Sequence, residues 1–236
     1  MNTIKKWGII SICFVLTSGL CLYYFHTGSF LERLLYADLA AVEKMVASGA
    51  NIRQTKQGMG ALHLLAKIKC FRSNDAKKGA LDYGEYVKIA DYLINAGLNP
   101  DALDKEGNAP IHYALSFSYF EMAQMLIEKG ADIHQKDANG YSPLHLAILS
   151  RAPIAILQLL MQKGANVNAK DPSGSTPLHE AVINGDMNAV EILTDSGADI
   201  KARDDMDDTP YDLAIAFKKE DIVQFFQKKF GENGEN

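Results

Sequence analysis

A repeat with a period of 33 residues limits the fold of this chain more than any other feature of its sequence. His112, His145 and His179 lie 33 and 34 residues apart, and Asp212 takes the same place 33 further on. His63 stands 49 residues before His112, one period plus an insertion of 16. Five residues before each of these positions come Gly58, Gly107, Gly140, Gly174 and Asp207. Gly130, Gly164 and Gly197 follow their histidines by 18 or 19 residues, and Gly97 fits once the insertion is subtracted. A unit of this length cannot bury its apolar face alone, so the period predicts units stacked side by side.

The residues inside one period predict its shape. Thr176 places a hydroxyl at a helix N-cap, and Pro177 occupies the first turn, where its missing N–H costs nothing. Leu178, Ala181 and Val182 continue as an apolar stripe at helical spacing. A second helix over residues 187–195 stops before Gly197, a residue suited to the left-handed C′ position. Residues 199–204 are polar and turn-forming, and lead to the next pair, Thr209-Pro210. Each unit therefore reads as helix, turn, helix and hairpin-like loop.

Three runs carry a family likeness: Thr176-Pro177-Leu178-His179-Glu180-Ala181, Ser142-Pro143-Leu144-His145-Leu146-Ala147 and Ala109-Pro110-Ile111-His112-Tyr113-Ala114. Closing runs such as Gly164-Ala165-Asn166-Val167-Asn168-Ala169, Gly197-Ala198-Asp199-Ile200 and Gly130-Ala131-Asp132-Ile133 match as well. The chain resembles ankyrin-repeat proteins over about residues 30–229. That resemblance implies an all-α solenoid of about six helix–turn–helix units with hairpin loops. The expected units are 30–54, 55–103 with an insertion at 69–84, 104–136, 137–170, 171–203 and 204–230, followed by a tail at 231–236. Gly60 and Ala109 stand where other units have a hydroxyl cap, a loss typically worth ~1 kcal/mol, so the N-terminal half is expected to be softer. Asp212 in place of His, with Lys218, Lys219, Lys228 and Lys229, suits a polar C-terminal cap.

The N-terminus has a different composition. Lys5 and Lys6 precede 25 residues without a charge, and residues 7–25 are nearly all apolar or small. As a helix that stretch would span roughly 28 Å, close to the ~30 Å hydrocarbon core of a bilayer. Trp7 at one end and Tyr23 and Tyr24 at the other suit the two interfaces, and the charge order predicts export of everything after the run. Residues 1–29 read either as an uncleaved signal anchor or as a signal peptide cut after Gly19. Lipidation at Cys21 fits poorly, because Leu20 sits where bacterial lipoprotein signals carry a small residue. With Lys5 and Lys6 set aside, 22 basic residues face 29 acidic ones, a balance that disfavours nucleic acid and anionic lipid surfaces. Membrane contact is thus expected through the N-terminal helix alone. Cys70 is the one cysteine beyond that segment, so no intramolecular disulfide is available there.

No catalytic constellation emerges. The four repeat histidines, His63, His112, His145 and His179, are expected to hydrogen-bond between neighbouring loops. His179-Glu180 opens like a zinc-protease motif, but Ile183 stands where the second histidine is required. Gly140-Tyr141-Ser142-Pro143-Leu144 departs from a nucleophile elbow at Leu144. The acidic run at 204–208 lacks the glycine and glutamate of a calcium loop. Neither a cofactor nor a metal is expected, and a hydrolase with a hidden site has no activated nucleophile to support it.

In ankyrin proteins the hairpin tips and first helices line a concave groove that holds protein partners. Mapped onto this chain, the resemblance gives Asn108, Tyr141, Asp205, Met206 and Asp208 at the tips and Phe117, Leu149, Ile183 and Phe217 at the helix ends. Phe71 and Tyr83 make the 69–84 insertion a candidate contact arm. The export segment and the lack of catalytic residues together resemble exported bacterial ankyrin proteins, several of which are accessory or immunity proteins for phospholipase or lipase effectors. The expected function is therefore non-enzymatic protein binding on the periplasmic side of the inner membrane. Its expected partner is a lipase or phospholipase toxin of a secretion system, and the chain is otherwise monomeric. A periplasmic scaffold for stress or redox proteins is the alternative.

Overall fold

The computed structural model describes residues 30–34, 38–56, 58–68 and 83–231. The N-terminal apolar run, Phe71, most of the insertion and the last five residues lie outside them. Among the described residues no helix is long and apolar enough to cross a membrane.

Helices come in pairs: α1 (Phe30–Leu34) with α2 (Leu39–Ala47), α3 (Ala61–Ala66) with α4 (Tyr83–Asn95), and α5 (Pro110–Ser116) with α6 (Phe120–Glu128). The series continues with α7 (Pro143–Leu149) and α8 (Ile154–Gln162), α9 (Pro177–Asn184) and α10 (Met187–Asp195), and α11 (Pro210–Ala216) and α12 (Glu220–Phe230). First helices pack on first helices, α1 on α3 and so on to α11, and second helices pack on second helices from α2 to α12. Two helical layers result, each helix short because a unit has only two or three turns to give to each layer. One core runs the length of the stack. At its centre Ala114, Ala147, Ala181 and Ala214, each two residues after the repeat position, are fully buried. A small side chain there lets neighbouring helices approach closely, while Ile111, Leu144 and Leu178, one residue before it, fill the space between units.

Tyr83 and Gly84, expected at the end of the insertion, instead belong to the first turn of α4. Contacts to the next unit explain why, although Tyr83 itself is exposed. Tyr83 meets the Tyr119 ring edge-on with centroids 5.7 Å apart, and its carbonyl accepts a hydrogen bond from the Tyr119 hydroxyl, so the helix start is fixed by the next unit.

Backbone chirality punctuates every unit. The glycines that close the second helices, among them Gly97, Gly130, Gly164 and Gly197, all have positive φ, as their C′ position requires. The first helices α5, α7, α9 and α11 end the same way, but of these only α9 has a glycine there, Gly185 at φ 64°. In the other three units Ser118, Arg151 and Lys218 hold φ values of 53–55° at the same repeat position. A side chain in this region costs roughly 1 kcal/mol relative to glycine. Lys218 is exposed, so nothing there offsets the cost. Lys218→Gly is expected to stabilise the fold by about 1 kcal/mol, a rise in Tm of about 2–4 °C in a calorimetric scan.

Candidate protein-binding surface

Four of the hairpins are each built around an aspartate. The Asp104 Oδ1 accepts the backbone N–H groups of Glu106 (3.0 Å) and Asn108 (2.9 Å), closing the turn from inside. Asp137, Asp171 and Asp204 repeat the arrangement, each taking the N–H groups two and four residues on. These four lie eight residues before the repeat position, a regularity present in the sequence but masked by the more conspicuous glycine at minus five. Burial pushes the Asp104 carboxyl up, but the Tyr113 hydroxyl and the two N–H donors outweigh it and hold the group below the usual carboxylate range.

The histidines then join hairpin to hairpin. In α5 the backbone N–H of Ala109 donates to His112 Nδ1 at 3.0 Å. An N–H can only donate, so the ring proton is on Nε2, which points at the Gln135 carbonyl, near the end of the same unit, at 2.9 Å. His63 reaches Asn108 O (3.0 Å), His145 reaches Ser175 O (3.2 Å) and His179 reaches Asp208 O (3.2 Å). The caps differ from unit to unit. The Ser142 and Thr176 hydroxyls each pair with Nδ1 of their histidine, His145 and His179, Ser142 also accepts the His145 N–H, and Gly60 and Ala109 make no side-chain cap. Asp212 keeps the accepting half of the device, taking the N–H (3.0 Å) and hydroxyl (2.6 Å) of Thr209.

On this frame the expected contact residues fall into three groups, buried, half-buried and exposed. Asn108 is buried, and its bonds are spent inside the fold: its amide donates to Tyr113 and its Oδ1 accepts the Ala138 N–H. Phe117 and Tyr141 are half-buried; Phe117 stacks on Tyr113 with planes 4° apart, and Tyr141 meets His145 edge-on. Ile183 and Asp208 are also half-buried. Leu149, Asp205, Met206 and Phe217 are exposed, Met206 to 84% and Phe217 to 53%. Ile215, equally exposed, was not among the expected residues. Its counterparts Leu115, Ile148 and Val182 are buried beneath the following unit, and no helix pair follows α12 among the described residues.

The same geometry places other side chains on the face the tips and first helices share. Lys67 sits 4.2 Å over the Tyr113 ring, so a cation already covers the N-terminal end of the aromatic stack. From Tyr113 and Phe117 the surface continues through Tyr141 and Leu149 to Ile183 and Phe217. Among the described residues, no group of three or more His, Cys, Asp or Glu could hold a metal ion.

The sequence profile of ankyrin repeats (3 copies) matches residues 78–171 and again residues 144–235, well over half of the chain. The chain belongs to the ankyrin-repeat family. Ankyrin repeats are protein-interaction modules, in general without catalysis, and a protein partner is what this fold serves. No curated protein sequence matches the chain.

Two outcomes follow from the geometry. Burial lowers the pKa of all four bridging histidines, although each ring's bond to a carbonyl pulls the other way. The unfolded chain takes up protons below the usual histidine pKa of about 6.5 while the folded chain resists them, so stability is full above that value and falls as the pH drops below it. The depressed aspartates act in a lower window, below the usual carboxylate range. Tm is therefore expected to fall between pH 7.5 and pH 5.0; equal melts would contradict neutral burial of the rings. Secondly, Met206→Ser and Phe217→Ser should leave the melt unchanged, whereas Phe117→Ala and Tyr141→Ala should lower it by removing ring contacts, as circular dichroism will show.

Proposed function

We propose that this ankyrin module is a non-enzymatic immunity protein that covers the active-site mouth of a lipase or phospholipase toxin on the periplasmic side of the inner membrane. The observation that carries the binding half of the reading is the run of exposed and half-exposed apolar side chains along the first-helix layer. Leu149 and Phe217 stay uncovered there although neighbouring helices bury most of their apolar residues. Aromatic and large aliphatic side chains of this kind anchor protein interfaces. A standard interface takes ~800 Å² per partner, which four or five stacked units can present.

The compartment and the partner's class rest on other ground. The charge-free run between Lys6 and Glu32 supports export, by anchor or by cleavable signal. Likeness to exported bacterial ankyrin proteins that accompany lipolytic effectors supports the toxin as partner. The acidic groove end, with Asp205 and Asp208, speeds encounter with a basic toxin surface.

The test is to mix the full chain with a candidate lipase or phospholipase toxin and follow lipid hydrolysis. Inhibition that saturates at one chain per enzyme is expected, weakened by Leu149→Ser. Undiminished cleavage at saturating chain would remove the immunity reading and leave the scaffold for stress or redox proteins.

A further inference from the structure

The residue immediately after the repeat histidine occupies the same place on each first helix, and its chemistry differs sharply between two units. In α5 this residue is Tyr113, whose hydroxyl donates to Asp104, the hairpin aspartate of its own unit, at 2.5 Å. In α9 it is Glu180, and the hairpin aspartate of that unit is Asp171. Where one unit sets a donor against its aspartate, the other sets a second acid. The Glu180 side chain is half-buried and makes no hydrogen bond or ion pair with any described residue. Burial, and then the Asp171 charge, raise its pKa above the usual glutamate range.

A half-buried carboxylate left without a donor is costly to the free protein. Its surroundings show what would complete it. Ile183 lies one turn further along α9, and α7 and α11, which pack on either side of it, end at the exposed Leu149 and just before the exposed Phe217. Tyr141 is near enough that the charges of Asp171 and Glu180 help to raise its hydroxyl pKa. The site is therefore one acid set within apolar and aromatic surface, with no cation of its own. A guanidinium or ammonium group supplies both the charge and the missing donors, and a guanidinium can also stack on Tyr141.

We propose that Glu180 anchors a basic side chain, arginine or lysine, which the partner protein presents between apolar residues of the segment lying in the groove. This rests on the groove reading above and adds the identity of the anchor.

The experiment pans a random-peptide display library against the full chain, with Glu180→Gln in parallel. Peptides selected on the wild type should carry an arginine or lysine flanked by apolar residues, and should bind Glu180→Gln at least ~10-fold more weakly. Glu180→Gln should melt at or above the wild-type temperature, because it relieves an unsatisfied charge. A lower melt would assign Glu180 a structural role and overturn the proposal. So would selected peptides without a basic residue, or basic peptides that bind both proteins equally. Leu149→Ser separates the two readings. If peptide binding is lost in Leu149→Ser and kept in Glu180→Gln, the groove stands and the anchor falls. If binding survives both changes, or no peptide is selected, the groove reading falls and takes the anchor with it.

Discussion

Everything in the stack depends on a histidine that faces two ways. In His63, His112 and His179 Nδ1 takes a backbone N–H at the start of its own helix, which fixes the tautomer, and in His145 it pairs with the Ser142 hydroxyl. Nε2 faces a carbonyl further along the chain, so in His63, His145 and His179 one buried ring ties its helix start to the neighbouring unit's loop. Only a neutral imidazole can accept at one nitrogen and donate at the other, so the same burial that strengthens the bond also makes it sensitive to acid. Asp212, an acceptor alone, can fill the first role but not the second.

Around that bond the hairpins behave as a second, parallel ladder. Aspartates close four of the turns from within, and three of the glycines at minus five, Gly58, Gly140 and Gly174, leave room for the next hairpin to lie close. A Cβ on Gly140 would come within 2.6 Å of Pro172, and one on Gly174 within 2.5 Å of Asp205. Asp205 also donates its N–H to the Ser173 carbonyl at 3.0 Å, a direct tie between adjacent tips. A rigid row of tips is what permits a groove to form, because side chains on separate loops are held at fixed spacing. Function on such a frame comes from the positions the frame does not use. Asn108 is consumed by the frame, while Leu149, Met206, Phe217 and Glu180 are left to meet another molecule.

Much of this was legible in the sequence because a repeat exposes its own rules. The helix pairs, the capping prolines, the left-handed glycines and the linking histidines all recur at the same offsets, so each unit checks the others. The hairpin aspartates obey the same rule and were available to the same comparison. Less legible was the contact surface. Asn108 and Tyr141 hold the same repeat position, yet the first is buried by its bonds to Tyr113 and Ala138 and the second is half-open. Ile215 was illegible for the opposite reason: its counterparts are core, and it is uncovered because no helix pair follows α12 among the described residues.

Local chemistry alone determined that this chain would form short helices in pairs, where most of them would begin and end, and that the pairs would stack. Those outcomes depend on residues within a few positions of one another, where capping, proline and backbone chirality act. The tertiary structure decided which side chains of equal rank in the repeat became core, bridge or open surface. That depends on what the adjacent unit places against them, and the period by itself does not specify it. Glu180 is the clearest case: its sequence position matches Tyr113, but only the folded stack shows one side chain with a donor role fulfilled and the other with a charge still unanswered.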